Sequence, residues 1–218
     1  MEGIIYKIQP YQESSRLLFV YTPHGKITLL ARGAQKLTQK TRVIGQFLSK
    51  ISFDETKGKT FMHFKNPKLL NEYAAIKSDY QKTKYAALML EIVDKFMIDM
   101  ENHEKIYEHL IQALEQPHII IAAHAFALKV LQILGYGIHL KADGRVVKGV
   151  SIEKGGLAYE NENYQINLDT KQAITLLKLY VLPYNELTLD YKEDKDAIER
   201  FIKKYYQYHL NTTLKNIS

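Results

Sequence analysis

With 218 residues and no cysteine, the chain is long enough for one large domain or two small ones, and disulfides, thiolate zinc sites and a cysteine nucleophile are excluded. Its formal net charge is +6, yet residues 1–80 hold 13 Lys and Arg against 6 Asp and Glu, while the remainder holds 17 against 18. The whole basic excess therefore lies in the first third, which points to a polyanion-binding region and two domains, while the absence of cysteine fits a reducing, cytoplasmic setting.

In chain order, Gly3–Tyr11 alternates Ile4, Tyr6 and Ile8 against Ile5, Lys7 and Gln9, the pattern of a half-buried strand. The N-terminus MEGIIYKIQP has no basic region leading into a sustained apolar stretch, so no signal peptide is expected. Ser15–Thr22 repeats the alternation, Pro23-His24-Gly25 supplies a turn, and Lys26–Ala34 completes a three-stranded meander. Gln46–Asp54 and Lys59–Asn66 read as two further strands joined through Glu55-Thr56-Lys57-Gly58, with Asn66-Pro67 closing the strand region. Five short strands in this length predict a small closed barrel, with the oligonucleotide-binding (OB) type as the leading candidate.

Beyond Pro67 the apolar period changes from two to 3.6. Ser78–Met100 puts Tyr85, Met89, Ile92 and Phe96 on one face, and Glu104–Glu115 does the same with Tyr107, Leu110, Ile111 and Leu114. After Pro117 comes the longest apolar run, Ile119–Leu134. It is interrupted by His124, Lys129 and Gln132 and is too short for a membrane span, so a central bundle helix is expected and no membrane contact. Gly135–Gly156 holds six of the eleven glycines and reads as a loop region or compact excursion. Asp169-Thr170 caps a helix with Ala173, Leu176, Leu177 and Tyr180 on one side, ended by Pro183, and Asp194–His209 forms the last helix with Ile198, Phe201, Ile202, Tyr205 and His209 aligned.

The run Lys26–Lys50 is the most informative stretch for function. There is no Asp or Glu between Glu13 and Asp54, and cations of one sign displace counterions from a phosphate backbone without reading sequence. Arg16, Lys26, Arg32, Lys36, Lys40, Arg42 and Lys50 are the candidate nucleic-acid contacts. Aromatics interleave with them. Phe19 and Phe47 are expected in the core, whereas Tyr11 and Tyr21 suit either the core or a wet rim where an unpaired base stacks. Gly58-Lys59-Thr60 lacks the first glycine and the strand-to-helix setting of a phosphate loop. His103 and His109 are six apart and not suited to one metal, and Asp190, Glu193, Asp194 and Asp196 read as helix capping. No catalytic constellation, metal site or cofactor site emerges, and no enzymatic activity is expected. RNA binding by the same barrel, or an enzyme site in the Gly135–Gly156 region, are the alternatives.

The order of short motifs resembles the RecO family of bacterial recombination and repair mediators. It runs through Tyr11, Glu13 and Ser14, Thr22, Gly25, and Ala31-Arg32-Gly33-Ala34. It continues with Lys84-Tyr85, Phe126-Ala127-Leu128, Leu134-Gly135-Tyr136, Gly155-Gly156, His209-Leu210 and Leu214-Lys215. The resemblance implies an α+β protein: an N-terminal five-stranded OB barrel over residues 1–80 and an all-α helical domain over 81–218, with a small inserted lobe at about 136–168. It implies binding of single- and double-stranded DNA, annealing of complementary strands, and assistance with RecR in loading RecA onto strands coated by single-strand-binding protein. Many family members carry a four-cysteine zinc site where this chain has Leu140, Asp143, Tyr159 and Glu162. A zinc-less lobe held by Val146, Val150, Ile152 and Leu157 is therefore expected. The family also implies recognition of the acidic, hydrophobic-ended tail of single-strand-binding protein on the helical half, for which Lys129, Arg200, Lys203 and Lys204 are the candidate cations.

Overall fold

The short apolar stretch Ser15–Thr22 is strand β2, and it stands at the centre of the N-terminal sheet. The computed structural model describes residues 1–34, 44–54, 61–98, 103–188 and 191–217 of a mixed α+β protein. Two compact units divide the chain, Met1–His109 and Leu110–Ser218.

In the first unit, β1 (Glu2–Tyr11), β2 and β3 (Gly25–Ala31) form an antiparallel meander. Strand β4 (Lys50–Asp54) pairs with β1, β5 (Met62–His63) joins β3 in parallel, and β6 (Lys65–Asn71) pairs with β4. The curled sheet therefore runs β5-β3-β2-β1-β4-β6, and its two outer strands are consecutive in sequence. Only Phe64 separates them; its N–H donates to the Leu30 carbonyl at 3.2 Å. Ile5, Leu18, Val20, Leu29, Ile51, Phe53 and Phe64 pack together as the core of this sheet.

Three strand expectations are corrected here. The sheet has six strands, because the single strand expected at Lys59–Asn66 is broken at Phe64 and resumes to Asn71. Pro67 lies within β6 instead of ending it. It falls between the Ser52–Lys68 and Asp54–Lys65 pairs, where the ladder is irregular, so its missing N–H removes no regular rung. In β1 the register slips between Ile5 and Lys7, leaving Tyr6 as an extra, bulged residue. The bulge reverses the parity of the strand, so Ile5 and Ile8, three apart, both face the core.

The opposite side of β1 and β2 is also covered. Ile4 and Tyr21 are fully buried, and the Tyr21 hydroxyl lies 3.2 Å from Nδ1 of His103 and donates to the His103 carbonyl at 3.3 Å. Burial raises the Tyr21 pKa well above that of a free phenol. A short helix α1 (Ala74–Lys77) precedes α2 (Tyr80–Phe96), which is N-capped by the Asp79 carboxylate and packs against β1. Helix α3 (His103–Leu114) follows, with Tyr107, Leu110 and Leu114 buried as its periodicity predicts.

The second unit is built on α4 (Ile119–Ile133), buried on almost every side and packed against α5 (Thr170–Val181) and α6 (Lys195–Leu210). Asp169 and Gln172 form a reciprocal capping box at the start of α5. Ala173, Leu176 and Leu179 turn inward on α5, whereas Leu177, expected in the core, is 37% exposed beside Ile174 and Val181. One polar cluster is sealed inside. His124 accepts or donates at 2.8 Å with the Tyr191 hydroxyl and lies 3.3 Å from Glu199, which also pairs with Lys195 at 3.2 Å.

The glycine-rich excursion is more regular than a loop, because it contains the antiparallel hairpin β7 (Val147–Ser151) and β8 (Gly156–Tyr159). Val150, Ile152 and Leu157 are buried as expected, but Val146 is 63% exposed and contributes no core. The double glycine has two separate causes. Gly155 turns with φ +71°, and any Cβ on Gly156 would stand 2.4 Å from the His139 carbonyl oxygen.

Candidate functional site

The antiparallel meander brings the end of β1, the start of β2 and the end of β3 to one end of the sheet. Strand β5 joins them there by pairing His63 with Leu30. These four elements surround an open pocket of about 710 Å³. Its aromatic wall is Tyr11 and Phe61, whose rings meet edge to face with centroids 5.7 Å apart at 77°. Arg32, exposed just beyond β3, supplies the cation. Gln12, Ser14 and His63 add donors and acceptors around the opening.

Such an arrangement suits a flat, partly apolar group carrying an anion: a ring rests on the aromatic wall, and the guanidinium meets the charge. The turn that forms the rim is tight. Gln12 adopts φ +53°, letting β1 reverse into β2 with only three residues between Tyr11 and Ser15.

The predicted cations separate into distinct environments. Among those of them that are described, Arg32 alone lines this pocket. Lys36, Lys40 and Arg42 lie outside the described residues. Arg16 is half-buried in β2 opposite Ala31. Lys26 stands at the other end of β3 from Arg32, roughly 20 Å along the strand. Its ammonium donates to the Asp94 carbonyl at 2.9 Å, in the last turn of α2, where the helix end is electronegative. Lys50 is half-buried and pairs with Glu2 at 3.5 Å.

The aromatics separate as clearly. Tyr21 is a core residue, and Tyr11 occupies the wet rim. Phe19, expected in the core, is half-buried on the outer face, with the Lys7 ammonium 5.2 Å from its ring centroid and Tyr6 beside it at 6.2 Å. Phe47 is likewise half-buried, and its neighbour Leu48 takes the core position with φ +54°. His63 and Gln12 were not legible as pocket residues. The one sequence signal for His63 is its place two residues after Phe61.

In the second unit, Lys129 donates to the carbonyls of Tyr180 at 3.1 Å and Leu182 at 2.7 Å, closing the C-terminal end of α5, and burial lowers its pKa. Lys203 is half-buried, with its ammonium 3.5 Å from the Ile217 carbonyl. Arg200 and Lys204 are exposed on α6.

The lobe gathers three of the four positions named from the zinc pattern around one cation. Arg145 donates to Asp143 at 2.6 Å and to Glu162 at 3.0 Å, and its guanidinium carbon stands 3.8 Å from the Tyr159 ring centroid. Lys154 pairs with the same Glu162 and lies 4.6 Å from the Tyr159 ring centroid. Hydrogen bonding from Arg145 holds the Asp143 carboxyl down to about 2, and Lys154 lowers that of Glu162. Among the described residues no three His, Asp or Glu converge as a metal site, and no helix is long and apolar enough to cross a membrane.

Comparison with known proteins covers both units. The family profile "Recombination protein O N terminal" matches residues 1–73, and "Recombination protein O C terminal" matches 77–216. A Clostridium perfringens protein named DNA repair protein RecO is 30% identical over 142 residues, covering 62% of this chain and 58% of that protein. Proteins of the same name from Listeria monocytogenes and Bacillus subtilis are each 24% identical, over 99% of this chain and 91% of theirs.

Proposed function

The chain belongs to the RecO family, which gives it a role in DNA repair and recombination, and we propose that its N-terminal unit binds DNA strands at the Tyr11–Phe61–Arg32 pocket. The observation that carries this reading is the pocket itself: an edge-to-face aromatic pair beside an exposed arginine, at the start of a run free of acidic residues. Aromatic stacking tolerates every base, and cations on phosphates read no sequence, so the contact is general and not sequence-specific.

The curled sheet is read as an OB barrel in which β5 and β6 are one interrupted strand. The pairing of β1 with β4 and the parallel pairing of β3 with β5 support this. The helical domain is taken to begin near residue 80, where the two family profiles also change over.

With the family as support, the activity is annealing of complementary strands and, together with RecR, loading of RecA onto strands coated by single-strand-binding protein in the cytoplasm. The tail of single-strand-binding protein is assigned to the helical half. Lys203 remains a candidate cation for it, whereas Lys129 is a poor one because its ammonium already closes α5, and Arg200 and Lys204 lie on a separate exposed stripe of α6.

The test is direct. Complementary labelled oligonucleotides should anneal faster with the protein than without it, and the gain should fall in Arg32→Ala and Phe61→Ala. Equal annealing with and without the protein would remove the reading.

A further inference from the structure

Along α6, Arg200, Lys204, Gln207 and Tyr208 are all exposed and fall within one slowly turning stripe, followed by Asn211 at the helix end. Neither Arg200 nor Lys204 has an ion-pair partner among the described residues. Tyr208 is 60% exposed, one of the largest apolar surfaces left open in the second unit.

The C-terminal part of this stripe forms one wall of a groove of about 780 Å³. The facing wall comes from the turn after β7 and the segment leading to α5, through Glu153, Gln165 and Asn167. Both walls are fixed. His209 donates from Nε2 to the Ile152 carbonyl at 2.7 Å, and Asn167 accepts the Ile152 N–H through Oδ1 at 2.8 Å, leaving the Asn167 amide nitrogen without a partner among the described residues. Four primary amides, Gln165, Asn167, Gln207 and Asn211, line one cavity.

We propose that this groove is a second single-strand nucleic-acid site, with a base stacked on Tyr208, phosphates on Lys204 and Arg200, and base edges read by the amides. Primary amides present donors and acceptors together, as the edges of unpaired bases do. Arg200 to Tyr208 spans about 12 Å, the length of some three stacked nucleotides at about 3.4 Å each.

The polarity of the groove selects this occupant over an acidic peptide. Its floor lies at the electronegative end of α6 beside Glu153, where a carboxylate is repelled and a neutral base carrying amino groups is accepted. Ile152 is buried and gives no open apolar pocket for a hydrophobic end group. The phosphates fall instead toward mid-helix, where the two unpaired cations stand.

This inference rests on the DNA-binding function proposed above and gives it a second strand, which annealing requires. The experiment uses the full chain titrated with a fluorescein-labelled thymidine oligomer of about 8 nucleotides at low salt. Two oligomers per chain are expected. Tyr208→Ala with Lys204→Gln should leave one, Tyr208→Phe should keep two, and Arg32→Ala should weaken the other site about tenfold.

One oligomer per chain in the parent, unaffected by the α6 changes, would overturn the second site while leaving the barrel reading intact. No oligomer bound at all would remove both. If an aspartate-rich peptide ending in phenylalanine binds and is lost in the Lys204→Gln, Tyr208→Ala protein while oligomer stoichiometry stays the same, the groove is a peptide site and the inference fails.

Discussion

The guanidinium carbon of Arg145 stands 3.8 Å from the ring centroid of Tyr159 while its nitrogens hold Asp143 and Glu162. These residues come from different parts of the lobe, so one side chain ties the segment before β7 to the turn after β8. Replacing Arg145 with Ala should loosen residues 140–162 selectively. Hydrogen exchange should rise there and stay unchanged in α4, and adding zinc should not restore protection.

The same cluster sets a pH response. Both carboxyls are depressed in the folded chain, Asp143 to about 2. Their contribution is therefore complete above the unfolded carboxylate range near pH 4 and is lost as pH falls through the folded values. Lobe protection, taken relative to the intrinsic exchange rate at each pH, should hold from pH 6 downward and fall only on the acid side of about pH 4. In Arg145→Ala that acid step should shrink.

At the pocket of the N-terminal sheet, Tyr11→Ala and Phe61→Ala should each weaken single-strand binding by about 1–3 kcal/mol if each ring meets a base. Arg32→Ala should reduce the salt slope by about 0.7. Lys26→Ala should leave that slope unchanged and instead cost about 1 kcal/mol of stability, because its ammonium closes the end of α2. Anisotropy titrations across salt, with a melt of each variant, separate these outcomes.

Gly149 is the tightest backbone contact in the hairpin, since a Cβ there would lie 2.2 Å from the Leu168 carbonyl oxygen. Gly149→Ala should cost about 1–3 kcal/mol by forcing β7 away from residue 168. Denaturant melts should show a lower midpoint, and oligonucleotide affinity at the Tyr11–Phe61–Arg32 pocket should not change.

Where a residue's surroundings are local, the sequence was a sound guide. Strand β2 was legible end to end because its short apolar run is bounded by polar and turn residues on both sides, and α4 because it is apolar on all sides. The bulge at Tyr6 was not, since Ile4, Ile5 and Ile8 fit a plain alternating strand equally well. Nor was the extension of β6 through Pro67, whose tolerance depends on an irregular rung with β4.

Side-chain roles failed for the same reason. Tyr11 and Tyr21 look alike in sequence, and it takes His103 and Tyr107, more than 80 residues later, to make one of them a core residue. Lys129 reads as a free cation until two carbonyls some fifty positions away are brought to it. Arg32 was legible because a run of one sign leaves it no acidic partner nearby, whereas His63 carries no such mark.

The stretch Met62–Asn71 gives β3 and β4 their second neighbours, one through β5 and the other through β6. During synthesis, every strand of the meander emerges before this stretch does. Until it arrives, β3 and β4 present bare rows of N–H and C=O groups flanked by apolar side chains, a template for pairing with another chain. A fragment ending near residue 60 should therefore aggregate, while one carried past Asn71 should not. The polypeptide covers β4 and the C-terminal end of β3 with a single late segment, so its period of greatest vulnerability shortens in one step.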